Sequence, residues 1–201
     1  MKPPDKAIDC WHFIGADKKL GYKDGRKVIK GRTLSILNNK PIKLCENGLH
    51  GSRKVFDALA WSNQSDYLCK VKIWGDVQKD ERKLAGRHRY CEYIVKWERV
   101  YGLSIVDYLK DQSKGKYKSI LTKIYKYFDK KINKKELRDS IISIKGHSSF
   151  DIRLRNFILS IYDDYYYSYY YSYNILDRYV LARIEKEIRN ESSKKSKKLV
   201  K

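Results

Sequence analysis

Four cysteines and four histidines are the residues best suited to bind a metal ion or to act as nucleophiles. They are Cys10, Cys45, Cys69 and Cys91, with His12, His50, His88 and His147. Structural zinc sites usually contain close pairs such as C-x-x-C, because two ligands on one turn cost little ordering entropy. No such pair occurs here. A site combining the first two cysteines with the first two histidines can be drawn, but buried thiols and hydrogen-bonded imidazoles are the favoured interpretation. We therefore predict no metal ion.

A tyrosine-rich tract over residues 165–173 is the second chemically distinctive feature, with seven tyrosines. On a helix these rings would point in all directions, so some must be exposed. Exposed tyrosines can stack on nucleic-acid bases, or can form a protein-binding face, where tyrosine is enriched. Low-complexity drift in a helix that packs on the first half explains the tract equally well. The candidate nucleic-acid contacts in this region are Tyr166, Tyr170, Arg153, Arg155 and Arg178.

A short basic run over residues 87–89 is the third feature. Arg87, His88 and Arg89 follow one another just before a predicted strand. Such a run can bind a phosphate group through charge-assisted hydrogen bonds. It can also be the solvated edge of a sheet, where ion pairs contribute little. We include Arg87 and Arg89 among the candidate nucleic-acid contacts.

The net charge favours a polyanionic partner. The chain has 45 Lys plus Arg against 24 Asp plus Glu, a formal charge of +21. The excess is nearly equal in the two halves, so no separate basic arm accounts for it. A field of this size attracts nucleic acid, an anionic membrane surface or an acidic protein. Composition drift toward lysine is the alternative, although drift usually raises glutamate as well.

The elements that must position these residues change character along the chain. The first half predicts short strands and turns, with strands near Trp11, over 41–45, over 67–77 and over 90–97, and a short helix from Ser52. The second half has apolar residues at helical spacing over 117–128, 137–142 and 149–184. The predicted fold is α+β: a small mixed or antiparallel sheet domain followed by a helical half.

The expected domains are a β-rich domain over 1–112, a helical domain with the tyrosine-rich helix over 113–190, and a basic tail over 191–201. No apolar run approaches the roughly 20 residues of a membrane span. The first residues contain no apolar stretch of the kind found in a secretory signal. We therefore expect a cytoplasmic protein without a membrane partner, and free cysteines rather than disulfides.

Residues 11–97 resemble a group of uncharacterised phage and prophage proteins. The shared pattern is W-H-F, C-x-x-G-L-H-A-S, D-A-L and L-C-x-V. Here these are Trp11-His12-Phe13, Cys45 to Ser52, Asp57-Ala58-Leu59 and Leu68 to Val71, with Gly51 replacing the usual Ala. The resemblance implies a phage origin and hence a host-cell cytoplasmic location, but no activity.

The same segments are similar, more weakly, to the landmarks of the poly-ADP-ribose polymerase type of ADP-ribosyltransferase. The resemblance implies that His12, His50 and Ser52 bind NAD and that Glu92 is the catalytic carboxylate. Departure of nicotinamide leaves an oxocarbenium-like ribose, which one carboxylate can stabilise. In this chain Phe13 replaces the family's Gly and His50 its Tyr, and the distance in sequence from His12 to Glu92 is short.

Three functions follow from these observations. The first is a basic phage accessory protein that binds nucleic acid or a nucleoprotein complex without catalysis or cofactor. The second is an NAD-dependent ADP-ribosyltransferase. The third is an inhibitor of a host defence system that acts by binding a host protein. The sequence leaves the oligomeric state open.

Overall fold

The computed structural model describes residues 1–21, 24–62, 66–113, 115, 117–139, 144, 152 and 178–190. Antiparallel sheets in the first half are followed by helices, so the predicted α+β fold is confirmed. The strands are β1 (Ile8–Ile14), β2 (Thr33–Ser35), β3 (Leu49–Gly51), β4 (Tyr67–Trp74), β5 (Gln78–Lys79), β6 (Leu84–Gly86) and β7 (His88–Lys96). The helices are α1 (Val55–Ala60), α2 (Trp97–Ser113), α3 (Lys118–Phe128) and α4 (Lys134–Asp139). Residues 178–190 are also helical.

The chain divides into two compact units, Met1–Trp97 (unit 1) and Glu98–Lys201 (unit 2). The division lies before the boundary expected at residue 112, because the chain is already helical from Trp97. Helix α2 was missed at the sequence level, although Val100, Leu103, Val106 and Leu109 recur at helical spacing and are all buried. The expected basic tail over 191–201 lies outside the described residues.

Unit 1 contains two antiparallel sheets. One has the strand order β1-β4-β7-β2 and the other the order β3-β6-β5. The predicted strands over 67–77 and 90–97 correspond to β4 and β7. The predicted strand over 41–45 is wrong: residues 44–46 form a turn, closed by an isolated bridge between Lys43 and Asn47.

Both faces of the four-stranded sheet are covered by apolar residues. One face carries a buried cluster of Cys10, Ile14, Val28, Cys69, Val71, Ile73, Leu84 and Cys91; we call it the core face. On the opposite face, the ring of Phe13 meets the ring of Trp97 edge to face, with centroids 5.0 Å apart. Phe56 of α1 packs on the same Trp97 at 6.2 Å. Side chains alternate between these faces along each strand, so cross-strand register places each candidate residue.

Unit 2 is held together by α2, α3 and the helical residues 178–190. Predicted helix 117–128 corresponds to α3, whose Leu121 and Ile124 are buried. Arg183, which is 4% exposed, donates a hydrogen bond to Asp107, and the Tyr125 hydroxyl donates a second one to the same carboxylate. Burial, together with that hydrogen bond, raises the pKa of Tyr125 to about 12. Side chains from two helices are therefore tied to one carboxylate of α2.

Candidate functional site

The structure places His12, His50 and Ser52 on neighbouring segments of unit 1. His12 lies on β1 opposite Cys69 of β4, which assigns it to the core face. His50 lies on β3 opposite Ala85 of β6. Ser52, which is 2% exposed, forms a two-hydrogen-bond bridge with Trp11, the residue before His12.

The glycine between His50 and Ser52 has a packing reason. A Cβ atom at Gly51 would lie 2.9 Å from Cδ1 of Ile73, 3.0 Å from Cβ of Cys10 and 3.3 Å from the carbonyl oxygen of Trp11. The backbone of β3 therefore crosses directly over the core face of the sheet. This close approach places His50 and Ser52 beside Cys10 and Trp11, the residues that precede His12 on β1.

Arg89 belongs to the same cluster and is buried. It lies on β7 opposite Ile73, a core-face residue, and is 2% exposed. Its Nη1 donates a 2.8 Å hydrogen bond to the carbonyl oxygen of His50, whereas its buried Nη2 has no hydrogen-bond partner. Burial lowers the pKa of Arg89. The sequence left Arg89 as either a phosphate or nucleic-acid contact or part of a solvated edge; the structure buries its guanidinium inside the protein instead of placing it on the outer surface.

Both histidines are neutral near pH 7. Burial, then the charge of Arg89 and then His50 hold the pKa of His12 well below its ordinary 6.5. Burial, followed by Arg89 and Lys83, also lowers the pKa of His50. Nε2 of His50 accepts a 3.0 Å hydrogen bond from the Cys45 backbone N–H, which leaves the ring proton on Nδ1.

Glu92 is not brought to this cluster. The β4–β7 register shifts between Lys70 and Val71, so that Lys70 lies opposite Tyr93 and Val71 opposite Cys91. Glu92 is the extra residue of this bulge. Its Oε2 lies 3.1 Å from Nζ of Lys70, which faces away from the core face. The three residues expected to bind NAD and the expected catalytic carboxylate thus lie on opposite faces of the sheet.

Arg87 ties loops of unit 1 together. It forms a 2.8 Å ion pair with Asp76 and donates hydrogen bonds to the carbonyl oxygens of Asn38, at 2.7 Å, and Lys40, at 3.3 Å. These contacts join the turn after β4 to the loop before β3. These contacts explain the position of the Arg87 side chain without a bound ligand.

Of the candidate contacts in the second half, the structure describes only Arg178. It is exposed, and its guanidinium lies 4.8 Å from the ring centroid of Tyr179. The remaining candidates, Arg153, Arg155, Tyr166 and Tyr170, lie outside the described residues. The roles assigned to the tyrosine-rich tract therefore stay predictions.

A set of exposed lysines on α3, on α4 and on the segment between them was not singled out from the sequence. This α3–α4 lysine surface consists of Lys118, Lys123, Lys126, Lys130, Lys131 and Lys135, all of them exposed. Lys123 and Lys126 are three residues apart on the side of α3 opposite the buried Leu121, Ile124 and Phe128. The signal was present in the sequence, because lysines occupy the polar positions of the amphipathic pattern over 117–128.

No metal-binding cluster, no membrane-spanning helix and no similar protein indicates a further site in the described part of the chain. Among the described residues, no three His, Cys, Asp or Glu side chains are grouped so that they could hold a metal ion. In the same part of the chain, no helix combines the length and apolarity needed to cross a membrane. Comparison of the chain with protein-family models, curated proteins and solved structures gave no match.

Proposed function

We propose that this protein binds nucleic acid without catalysis, and that the α3–α4 lysine surface is its main contact. The observation that carries the proposal is the set of six exposed lysines on a short stretch of unit 2, in a chain of net charge +21. The resemblance to phage proteins supports an accessory role during infection.

The geometry of α3 suits a phosphate backbone. Its eleven residues span about 15 Å at 1.5 Å per residue. Duplex DNA carries roughly one negative charge per 1.7 Å of its axis, so a helix of this length lies beside several phosphates. The buried side of α3 anchors the helix in unit 2, while Lys123 and Lys126 remain in solvent.

The nearby acidic residues do not cancel this charge. Asp129, which follows α3, lies 3.0 Å from Nη2 of Arg99. Glu136 of α4 accepts a 2.7 Å hydrogen bond from the backbone N–H of Asn133 and so caps its own helix. Over residues 118–139, eight Lys and Arg side chains stand against three Asp and Glu, which leaves the lysine surface with a positive potential.

The transferase alternative has weaker support, because Glu92 is paired with Lys70 on the face opposite His12. A mechanism that needs this carboxylate beside the nicotinamide ribose would require the sheet to present both faces to one ligand. Titration with NAD tests this alternative directly. Saturable NAD binding that is abolished in Glu92→Gln would reinstate it.

The test is oligonucleotide binding measured by fluorescence anisotropy over a series of KCl concentrations, with single-stranded DNA, single-stranded RNA and duplex DNA. The site variant is Lys123→Glu with Lys126→Glu. The control is Lys40→Glu with Lys79→Glu, which makes the same change in net charge at exposed positions of unit 1. The comparison separates a local contact from the effect of total charge.

We expect the site variant to weaken binding at least tenfold more than the control. We also expect the slope of log K against log salt to become shallower by about 0.7 to 0.9 for each phosphate that the variant no longer neutralises. Equal effects of the two variants would show that the lysine surface does not bind the nucleic acid. A salt-insensitive complex with a host protein, together with no oligonucleotide binding, would favour the defence-inhibitor alternative instead.

A further inference from the structure

The guanidinium of Arg89 is a buried charged group in unit 1 with a donor that has no hydrogen-bond partner. It is 2% exposed, has one hydrogen bond to the carbonyl oxygen of His50, and leaves Nη2 without a partner. A buried charge is strongly unfavourable unless it is paired and hydrogen-bonded. The unused donor therefore points to an anion that is not part of the chain.

The surroundings of Arg89 do not supply that anion as a direct hydrogen-bond partner. The groups whose charges favour its cationic form are the thiols of Cys69 and Cys91 and the carboxylate of Asp24. Asp24, however, lies 2.6 Å from Nε of Arg26, with which it forms an ion pair. The hydrogen bond with Cys91, together with burial, raises the pKa of Cys69, and the same hydrogen bond lowers the pKa of Cys91. The Cys91 thiol donates to the carbonyl oxygen of Tyr93 at 3.5 Å, and Nη2 of Arg89 has no hydrogen bond to either sulfur.

The neighbouring histidines add further hydrogen-bonding groups. His12 and His50 are only partly buried, and both respond to the charge of Arg89. Nδ1 of His50 carries the ring proton, because its Nε2 already accepts from Cys45. The cluster thus combines a buried cation that has one unused donor nitrogen with two partly buried, neutral imidazoles, which is chemistry that suits a phosphate.

We propose that Arg89, with His12 and His50, forms an oxyanion site in unit 1 that binds the phosphate or diphosphate group of a small molecule. Nη2 of Arg89 donates to a phosphate oxygen, and His12 contributes at the solvent side. The site is separate from the α3–α4 lysine surface and does not depend on the proposed nucleic-acid binding.

Inorganic pyrophosphate is the probe, titrated by calorimetry and by thermal shift at constant ionic strength. The variant is Arg89→Met, which keeps a similar side-chain length without the charge. Arg82→Met, at an exposed position of the same unit, is the control for removal of a charge. We expect saturable binding by the wild-type protein, at least tenfold weaker binding by Arg89→Met, and unchanged binding by Arg82→Met. Equal binding by Arg89→Met and the wild type, or no saturable binding, would overturn the proposal.

A second measurement covers the case in which Arg89→Met does not fold. In wild-type protein labelled with ¹⁵N-arginine, pyrophosphate is expected to shift the side-chain signal that is absent from Arg89→Lys. Shifts of other arginine signals alone would overturn the proposal.

Competition experiments identify the source of the phosphate. We expect ADP to displace pyrophosphate, and oligonucleotides with a 5′-phosphate or a 5′-hydroxyl end to be equally ineffective. Displacement by the 5′-phosphorylated oligonucleotide alone would overturn the assignment to a small molecule. Arg89→Met is expected to bind oligonucleotides as the wild type does, so failure of this proposal is distinguishable from failure of the nucleic-acid proposal.

Discussion

Substitution of Gly102 by alanine should destabilise unit 2, although alanine is intrinsically more favourable than glycine inside a helix. Gly102 lies inside α2, where alanine is ordinarily favoured over glycine by about 0.8 to 1 kcal/mol. A Cβ atom at this position, however, would lie 1.9 Å from Cζ of Phe128, and 2.6 and 2.7 Å from its two Cε atoms. Carbon atoms pack at about 3.5 Å or more, so the ring would have to retreat by roughly 1.6 Å.

The ring has little freedom to retreat. Phe128 is 8% exposed, and its carbonyl oxygen accepts a 2.6 Å hydrogen bond from Nη1 of Arg99. Overpacking of this kind costs about 1 to 3 kcal/mol. After the helix-propensity gain is subtracted, we expect Gly102→Ala to lower the free energy of unfolding by up to about 2 kcal/mol.

The assay is urea unfolding followed by circular dichroism at 222 nm for wild type, Gly102→Ala, Phe128→Leu and the double variant. Leucine lacks the ring atoms that meet position 102, so Gly102→Ala should be neutral or stabilising in the Phe128→Leu background. Gly21→Ala, where a Cβ would meet nothing within 4 Å, is the control for glycine replacement. A higher urea midpoint for Gly102→Ala, or the same destabilisation in both backgrounds, would refute the reasoning.

Three further predictions concern pH, a buried network and a close strand contact. The depressed pKa of His12 means that the unfolded chain binds a proton that the folded one does not, so stability falls as pH drops below about 6.5. Between about pH 7.5 and 5.5 the decrease is on the order of 1 kcal/mol, and urea melts of His12→Gln should show a smaller pH dependence than wild type. Asp107→Asn should lower the free energy of unfolding by about 3 kcal/mol or more, because it leaves Arg183 buried without its counter-charge. Tyr125→Phe should lower it by about 1 to 3 kcal/mol, and a larger drop in melting temperature for Tyr125→Phe than for Asp107→Asn would contradict this. Gly86→Ala should lower the melting temperature more than Gly21→Ala, because its Cβ would lie 2.5 Å from Cγ2 of Ile73 and 3.0 Å from the Trp74 carbonyl; equal shifts would argue against a tight contact.

The longer strands and helix α3 were predictable from local pattern, whereas the strands β2, β3, β5 and β6, each only two or three residues long, were not. Alternation over 67–77 identified β4, and helical spacing over 117–128 identified α3. Helix α2 was missed because it follows β7 without a turn, so the change of period at Trp97 has no glycine or proline to mark it. Residues 41–45 were assigned as a strand because their short apolar pattern does not reveal the local bridge between Lys43 and Asn47.

The candidate site was only partly predictable. The sequence resemblance brought His12, His50 and Ser52 to attention, and the structure places them on neighbouring segments. Nothing in the sequence indicated that Arg89 is buried beneath these residues. Its position depends on a hydrogen bond to the carbonyl oxygen of His50, which is 39 positions away in the chain. Arg87 and Arg89 look equivalent in sequence, yet one ties surface loops and the other enters the core.

The sequence by itself determined the α+β class, the positive charge of both halves and the amphipathic character of α3, since these depend on composition and local periodicity. Tertiary structure alone decided which side chains share a face. A single extra residue in β7 changes the alternation after Cys91, so that Ile94 rather than Tyr93 lies opposite Cys69 on the core face, while Glu92 lies beside Lys70 on the opposite face. Whether neighbouring strands pair regularly or with a bulge depends on both strands and their packing, which no local pattern in one of them specifies.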